Sequence, residues 1–364
     1  MSIIYKIKDS VDLFLTGDII TAYFMNTRKQ KRFKVNENAI YLLETIDGEK
    51  SLTEIANEIG MDYNELYFFC ERLERLKILL EVKVDENILP ERTVEKFDRQ
   101  LNYFTEFLET KEEAYIAQKN VTDTRFLIFG IGAIGANIAT QLVMAGAEYI
   151  TIYDYDKVRE SDITRHIYFS ETYVGMKKVD ALSLELQKIN PNVSITKIDE
   201  FMHPSSEITN YIQDNDFVIN TLDEPYIGYT SAKISRICTP LRIPHFIAGG
   251  FDAHLASTGE LIIPGVTPCV ECYATHFKEA LKDWKPKAHP VKERFNEIGG
   301  LASMSLFSSS FAVTEIIKYI TEIVPILESY KTRGELLFKD LNLTYITLDK
   351  DPNCQICGKL SDNL

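Results

Sequence analysis

An apolar stretch, residues 125–129, runs straight into Gly130, Gly132 and Gly135 in the order G-x-G-x-x-G, and no other feature constrains this chain as much. The pattern reads as a buried strand, a tight turn and the opening of a helix. Gly130 permits the turn, Gly132 lets backbone approach a phosphate, and Gly135 seats the helix against the sheet. A second apolar stretch, residues 149–153, ends at Asp154, 19 residues past Gly135, where a carboxylate accepts hydrogen bonds from ribose hydroxyls. Together these segments predict a βαβ unit that holds a nucleotide, within an α/β, Rossmann-like doubly wound sheet. The glycines do not separate NAD from ATP. The residues that follow do. A polar loop, residues 156–165, begins at Asp156 and carries Asp162 and Arg165; Gly175 and Lys178 come next. The planar fork of Arg165 suits bidentate phosphate contact, and Lys178 adds a point charge near the start of a helix expected over residues 176–189. Residues 216–223 read as another buried strand, whose carboxyl end delivers Asp223 to the same crevice. An aspartate beside a triphosphate is a natural magnesium ligand. A nicotinamide would have to lie where these cations stand, which argues against an NAD-dependent oxidoreductase.

The stretch from Gly130 to Asp223 resembles the adenylate-forming ThiF/MoeB-type family, which includes ubiquitin-activating enzymes. The resemblance implies that Asp154 holds the ribose, that Arg165 and Lys178 hold the phosphates, and that Asp223 holds magnesium. It also counts Asp156 and Asp162 among the nucleotide-binding residues. The segment Phe97-Asp98-Arg99-Gln100-Leu101 looks like the family's R-x-x-R-Q pattern. Arg99 would then reach the triphosphate, in cis or across the interface of a homodimer. Two positions depart from the family: Asp162 and His166 stand where Asn and Gln are usual. A carboxylate near a triphosphate is repulsive unless a metal lies between them. A lone histidine such as His166 is more often structural.

Four of the six cysteines form two C-x-x-C knuckles, Cys269/Cys272 and Cys354/Cys357. Four thiolates complete a tetrahedral shell around zinc and leave no open position, so a structural zinc is expected. The other two, Cys70 and Cys238, lie in helix-like runs and read as buried apolar residues. Residues 273–353 contain no cysteine. Related activating enzymes carry their thioester-forming residue in that region, so this chain can transfer a nucleotide but cannot readily pass an acyl group to its own sulfur.

Residues 1–85 read as a separate module, with a β-hairpin (19–24 and 31–35) and helices over 37–46, 51–59 and 63–79. That winged-helix outline resembles PqqD-like leader-recognition elements, which bind an extended peptide. Residues 86–120 read as a connector with a helix, and residues 121–364 as the nucleotide-binding and transfer domain. The formal net charge of −14 argues against a nucleic-acid or anionic-membrane partner, and no apolar run is long enough to span a bilayer, so a cytoplasmic protein is expected. Residues 278–297, with Trp284, suggest a lid. A helix is expected over 301–322, and strands over 335–338 and 344–348 to finish the sheet. A peptide module joined to a thiol-free transferase core is similar to the microcin C nucleotidyltransferases. That resemblance implies magnesium-dependent transfer from ATP or CTP to the C-terminus of a short ribosomal peptide, with release of pyrophosphate. Two other readings keep the same residues: an activating enzyme for a ubiquitin-like sulfur carrier, and an inactive leader-binding scaffold of an azoline-forming cyclodehydratase.

Overall fold

The computed structural model describes residues 3–283 and 300–360, apart from 86, 168, 225, 250, 253, 254 and 359. Most of the expected lid, Trp284 included, lies outside the described residues. The chain divides into two units, Met1–Asn120 and Val121–Leu364.

The first unit contains β1 (Tyr5–Ile7), β2 (Val11–Thr16), β3 (Ile19–Phe24), β4 (Lys29–Lys34), α1 (Glu37–Thr45), α2 (Leu52–Ile59), α3 (Tyr63–Arg75), β5 (Leu79–Glu81), α4 (Glu91–Thr105) and α5 (Lys111–Asp123), the last running just past its boundary. Strands β2, β3 and β4 form an antiparallel meander, and β1 pairs with β5. The alternation in β3 buries Ile20, Ala22 and Phe24 in a core with Leu42, Ile55, Leu66 and Leu73. Helix α2 opens on a capping box in which Ser51 and Glu54 satisfy each other's backbone N–H groups, worth about 1 kcal/mol. Strand β2 was not anticipated, because Asp12, Gly17 and Asp18 interrupt its pattern; they stand where one outer strand meets solvent and turns. Helix α3 also stops earlier than expected. Lys77 takes a left-handed φ of +61°, and the buried Leu79 and Leu80 continue as β5. Buried Lys8 ties residues 86–120 to this unit by donating from Nζ to the carbonyls of Thr105 and Leu108, at 2.5 and 2.8 Å.

The second unit contains β6 (Arg125–Phe129), α6 (Ala133–Met144), β7 (Tyr149–Tyr153), α7 (Glu160–Ile163), α8 (Lys178–Ile189), β8 (Ser194–Ile198), α9 (Thr209–Gln213), β9 (Phe217–Asn220), α10 (Ile227–Cys238) and β10 (His245–Ile247). It continues through β11 (Phe251–Asp252), β12 (Leu255–Ser257), β13 (Glu260–Ile262), α11 (Val270–Ala280), α12 (Ala302–Thr321), α13 (Ile326–Ser329), β14 (Gly334–Leu337) and β15 (Leu343–Tyr345). The main sheet has the order β13-β10-β9-β6-β7-β8, parallel except where β13 meets β10. Helices cover both faces, so β6 and β9 are apolar without alternation. Phe126 and Ile128 pack with Ile138, Leu142 and Ile316 on one side; Leu127 and Phe129 pack with Ile234 and Cys238 on the other. Both Cys70 and Cys238 are buried core residues. Strands β14 and β15 do not finish this sheet. They join β11 and β12 in a separate antiparallel sheet, because a short apolar run carries no mark of which sheet edge it will meet. No helix among the described residues is long and apolar enough to cross a membrane.

One buried group gives the fold a pH dependence. His245 on β10 is fully enclosed, with Nδ1 at 3.1 Å from the Ile243 carbonyl and Nε2 at 3.0 Å from Ser235 Oγ. Burial lowers its pKa to about 4, from an ordinary value near 6.5. Between those values the unfolded chain binds a proton that the folded chain refuses, so stability falls as the pH drops from about 6.5 to 4. The expected loss is about 3 kcal/mol. Urea unfolding across that range should show this slope in the wild type and a shallower one in His245→Phe.

Candidate nucleotide site and cysteine knuckle

The glycine turn lies at the carboxyl end of β6. Gly130 has φ +81°, and a Cβ there would meet Thr221 Oγ1 at 2.8 Å. A Cβ on Gly135 would come within 2.0 Å of the Gly130 carbonyl oxygen. Both glycines are therefore required by the chain itself. Gly132 is different: its φ is −69°, and a Cβ there would meet nothing within 4 Å among the described residues. Nothing among the described residues asks for glycine at position 132, while the open space in front of it leaves room for a ligand against the start of α6. Gly135→Ala is thus expected to destabilise the protein by about 2 kcal/mol or more through overpacking. Gly132→Val should melt within a few degrees of wild type yet bind nucleotide more weakly, as thermal unfolding and a nucleotide titration would reveal.

Asp154 ends β7 and is buried. Its carboxylate accepts the Ile131 N–H and the Asp156 N–H, each at 2.8 Å, and so clamps the glycine turn to β7. Each carboxylate oxygen keeps a second lone pair, which is the capacity ribose hydroxyls need. Burial raises its pKa, and the charge of Lys178 pulls it back.

Lys178 opens α8 and is 7% exposed. Its Nζ lies 2.9 Å from Asp156 Oδ2 and 3.9 Å from Asp162 Oδ2. Arg165 Nη2 donates to Asp162 Oδ1 at 2.8 Å, and the Arg159 N–H donates to Oδ2 at 2.9 Å. Asp162 is thus a buried counter-ion shared by two cations. Burial alone would raise its pKa, but the Arg159 N–H and the charges of Lys178, His166 and Arg165 outweigh that and hold it low. This arrangement answers the repulsion expected from an aspartate at this position: its charge is neutralised before any phosphate arrives. His166 is buried, stacks on Phe169, and has Nδ1 at 2.8 Å from the Asp162 carbonyl; burial lowers its pKa. Arg165 Nε and His166 Nε2 are both buried without a hydrogen-bond partner among the described residues. Unpaired polar atoms of this kind are uncommon in folded proteins, and their presence beside the cations fits a site shaped for a bound anion.

Asp223 lies three residues past the end of β9 and is exposed. Crowding by protein still raises its pKa, with Glu224 adding and Lys178 and Arg165 opposing, so it shares one electrostatic field with those cations. Sequence reasoning missed the residues that shape this turn. The buried Asn220 accepts the Leu222 N–H at 3.1 Å and donates to Thr230 and Ser231, while Thr221 Oγ1 donates to the Gly130 carbonyl at 2.7 Å. The only signal for them was a polar pair, Asn220-Thr221, at the end of an otherwise apolar strand. Arg99 lies on α4 in the first unit and is exposed.

The four knuckle cysteines converge. Sγ atoms of Cys269 and Cys272 are 3.8 Å apart, Cys269 and Cys354 3.6 Å, and Cys272 and Cys357 3.5 Å. A tetrahedral zinc with bonds of about 2.3 Å requires sulfur separations of about 3.8 Å. All four thiols are buried and unbridged, so the donor set fits a metal ion. A hydrogen bond from Cys269 lowers the pKa of the Cys272 thiol.

Known proteins share this plan. The chain is 28% identical over 254 residues to the vegetative HesA protein of Trichormus variabilis, covering 68% of this chain and 85% of that one. It is 23% identical over 250 residues to the molybdopterin-synthase adenylyltransferase of Escherichia coli, covering 66% and 90%. The crystal structure of E. coli MccB superposes with a TM-score of 0.72 at 18% identity, covering 98% of this chain and 97% of that one, a likeness of fold. The ThiF family model matches residues 97–356, a span that takes in the glycine turn, the Lys178 and Arg165 cluster, Asp223 and all four knuckle cysteines except Cys357. With that span matched and its fold in place, the chain belongs to the ThiF family.

Proposed function

We propose that this protein is a nucleotidyltransferase that transfers a nucleotide from Mg-bound ATP or CTP to the C-terminal group of a short peptide. The observation that carries this reading is the cluster of Lys178 and Arg165, braced by Asp156 and Asp162, beside an open Gly132 and a clamped Asp154. In the proposed reaction an oxygen or nitrogen of the acceptor attacks the α-phosphorus, the bond from that phosphorus to the β-bridging oxygen breaks, and pyrophosphate leaves with the electron pair. The acceptor's proton passes to water. Lys178 and Arg165 would offset negative charge on the departing pyrophosphate. Asp154 would hold the ribose. Asp223 would hold magnesium, which would supply positive charge to offset that of the phosphates. Such a reaction works by positioning and charge, and no side-chain nucleophile is required. The name of the E. coli relative, an adenylyltransferase, supports the reaction class. MccB, a microcin C7 biosynthetic enzyme, has been crystallised with ATP and with N-formylated MccA, which supports a nucleotide and an acceptor of that kind.

The first unit supplies support for a peptide acceptor. Strand β4 is an outer strand of the meander, and residues 28–34 carry Arg28, Lys29, Lys31, Arg32 and Lys34 on a chain of net charge −14. The Val35 N–H bonds the Asp18 carbonyl, so by the antiparallel alternation Gln30, Arg32 and Lys34 turn their own N–H and C=O groups to the free side. An extended peptide can add there as a further strand. Arg32→Pro removes one of those donors without touching the β3 ladder, whereas Arg32→Ala removes only the charge. If backbone pairing carries the contact, the proline variant should raise the peptide KM about tenfold more than the alanine variant.

The test of the whole reading is exchange of labelled pyrophosphate into each nucleoside triphosphate, with and without short peptides encoded beside the gene. Peptide-dependent exchange is the expected result. Exchange driven instead by a sulfur-carrier protein ending in Gly-Gly would favour the activating-enzyme reading. Failure to bind any triphosphate would leave a peptide-binding scaffold.

A further inference from the structure

The carboxyl edge of the main sheet bears a second charged pair, away from the cation cluster. Glu260 on β13 is 5% exposed, and its carboxylate accepts a hydrogen bond from Arg333 Nη1 at 3.0 Å. Burial raises the Glu260 pKa, and the charge of Arg333 opposes that rise. Arg333 directly precedes β14, and its guanidinium lies over the Phe277 ring of α11, 5.6 Å from the centroid. Its Nη2 comes within 3.6 Å of the position a Cβ on Gly249 would take. Its Nε is buried with no hydrogen-bond partner among the described residues. A pair serving only to stabilise the fold would be expected to use the guanidinium fork fully, since buried polar atoms left unpaired are costly. Here the fork is fixed at one corner, stacked on an aromatic face and left with donors to spare.

Its position gives those donors a use. Gly249 follows β10, and the adjacent Ala248 N–H bonds the Asn220 carbonyl at 3.0 Å. Thr221, just past β9, bonds the carbonyl of Gly130, just past β6. Phe129, Asn220 and Ile247 stand in register across β6, β9 and β10, so Gly130 and Gly249 follow the same row two strands apart, and Gly249, which the fork approaches, lies about 10 Å along the sheet edge from the glycine turn. Lys178 stands on the other side of that turn, at the start of the helix between β7 and β8.

We propose that Arg333, oriented by Glu260, anchors a carboxylate of the acceptor, so that the acceptor approaches the nucleotide from the β10 side while the phosphates lie toward Lys178. This assignment rests on the transferase reading above. A planar carboxylate matches the two-pronged geometry of the fork. Arg333 is in this view a residue that determines specificity, and Glu260 is a positioning residue.

The test uses the full chain. Calorimetry first measures binding of magnesium α,β-methylene-ATP. In its presence, saturation-transfer NMR then compares N-acetylglycyl-asparagine bearing a free C-terminal carboxylate with the same dipeptide amidated. The wild type is expected to prefer the acid by about tenfold. Arg333→Met should erase that preference with nucleotide affinity within about twofold of wild type, and Glu260→Gln should weaken it. Arg333→Lys, which keeps the charge and is the milder change if the Met variant folds poorly, should not restore it. Equal response to acid and amide in the wild type, including no response to either, would overturn the proposal while leaving the transferase reading intact. So would a large loss of nucleotide affinity in a folded Arg333 variant, since the fork would then hold phosphate. If the wild type binds no nucleotide, the transferase reading falls first and this inference falls with it.

Discussion

Replacing Lys178 with Met is expected to slow nucleotidyl transfer by about 10²- to 10³-fold, the loss typical when one preorganised charge is removed from a developing anion. The side chain is almost wholly buried and held between Asp156 and Asp162, so its ammonium is fixed before nucleotide binds. Little reorganisation is then needed during the reaction, which is why a buried lysine contributes more than a mobile surface one. The same substitution leaves two carboxylates short of a partner, and breaking a buried pair costs about 3–5 kcal/mol. Asp162 retains Arg165 and the Arg159 N–H, so the cost here should lie at or below the lower end of that range. A second variant separates the two effects. Lys178→Met combined with Asp156→Asn relieves the unpaired charge and should regain stability in thermal melts while transfer stays slow. Recovery of transfer along with stability would mean that Lys178 serves the fold and has no part in handling phosphate.

Removing metal from the four-cysteine knuckle is the second large effect expected. The knuckle joins Cys269 and Cys272, at the start of α11, to Cys354 and Cys357 near the end of the chain. Without an ion, these four buried thiols would crowd one another with no bond to hold them, and the residues around 354–357 would lose a tie to the start of α11. A loss of several kcal/mol is expected. For a unit of this size each kcal/mol shifts the melting temperature by about 2–4 °C, so Cys272→Ser should melt on the order of 10 °C lower. Elemental analysis should find about one zinc per purified chain. A chelator-stripped protein that melts with the zinc-loaded one would remove the structural role. Helix α11 also carries Phe277, over which Arg333 lies, so metal loss should disturb the Glu260–Arg333 pair before it disturbs the glycine turn.

The glycine turn and its βαβ unit were legible because their parts are local. Gly130, Gly135 and Asp154 are set by one strand, one turn and the next strand, and their spacing carries the geometry with it. Legibility fell where contacts cross between elements. Asp162 read as an obstacle to phosphate, since its partners Arg165, Lys178 and the Arg159 N–H come together only once the loop folds back on α8. Asn220, Thr221 and the Glu260–Arg333 pair gave almost no signal, because residues 73 positions apart in the chain leave no periodic trace of meeting. Strand β2 was hidden by its turn residues, and β14 and β15 were assigned to the wrong sheet.

By itself, the sequence determined the βαβ unit with its glycine turn, the two knuckles, the capping box of α2 and most helix spans, all of which depend on period or spacing within a few tens of residues. Tertiary structure alone decided which sheet the last strands joined, that Asp162 is a counter-ion, that Gly132 faces open space while Gly135 is locked, and that Arg333 meets Glu260. These depend on packing between distant segments. Burial and close contact are properties of the assembled core, and a linear pattern does not encode them.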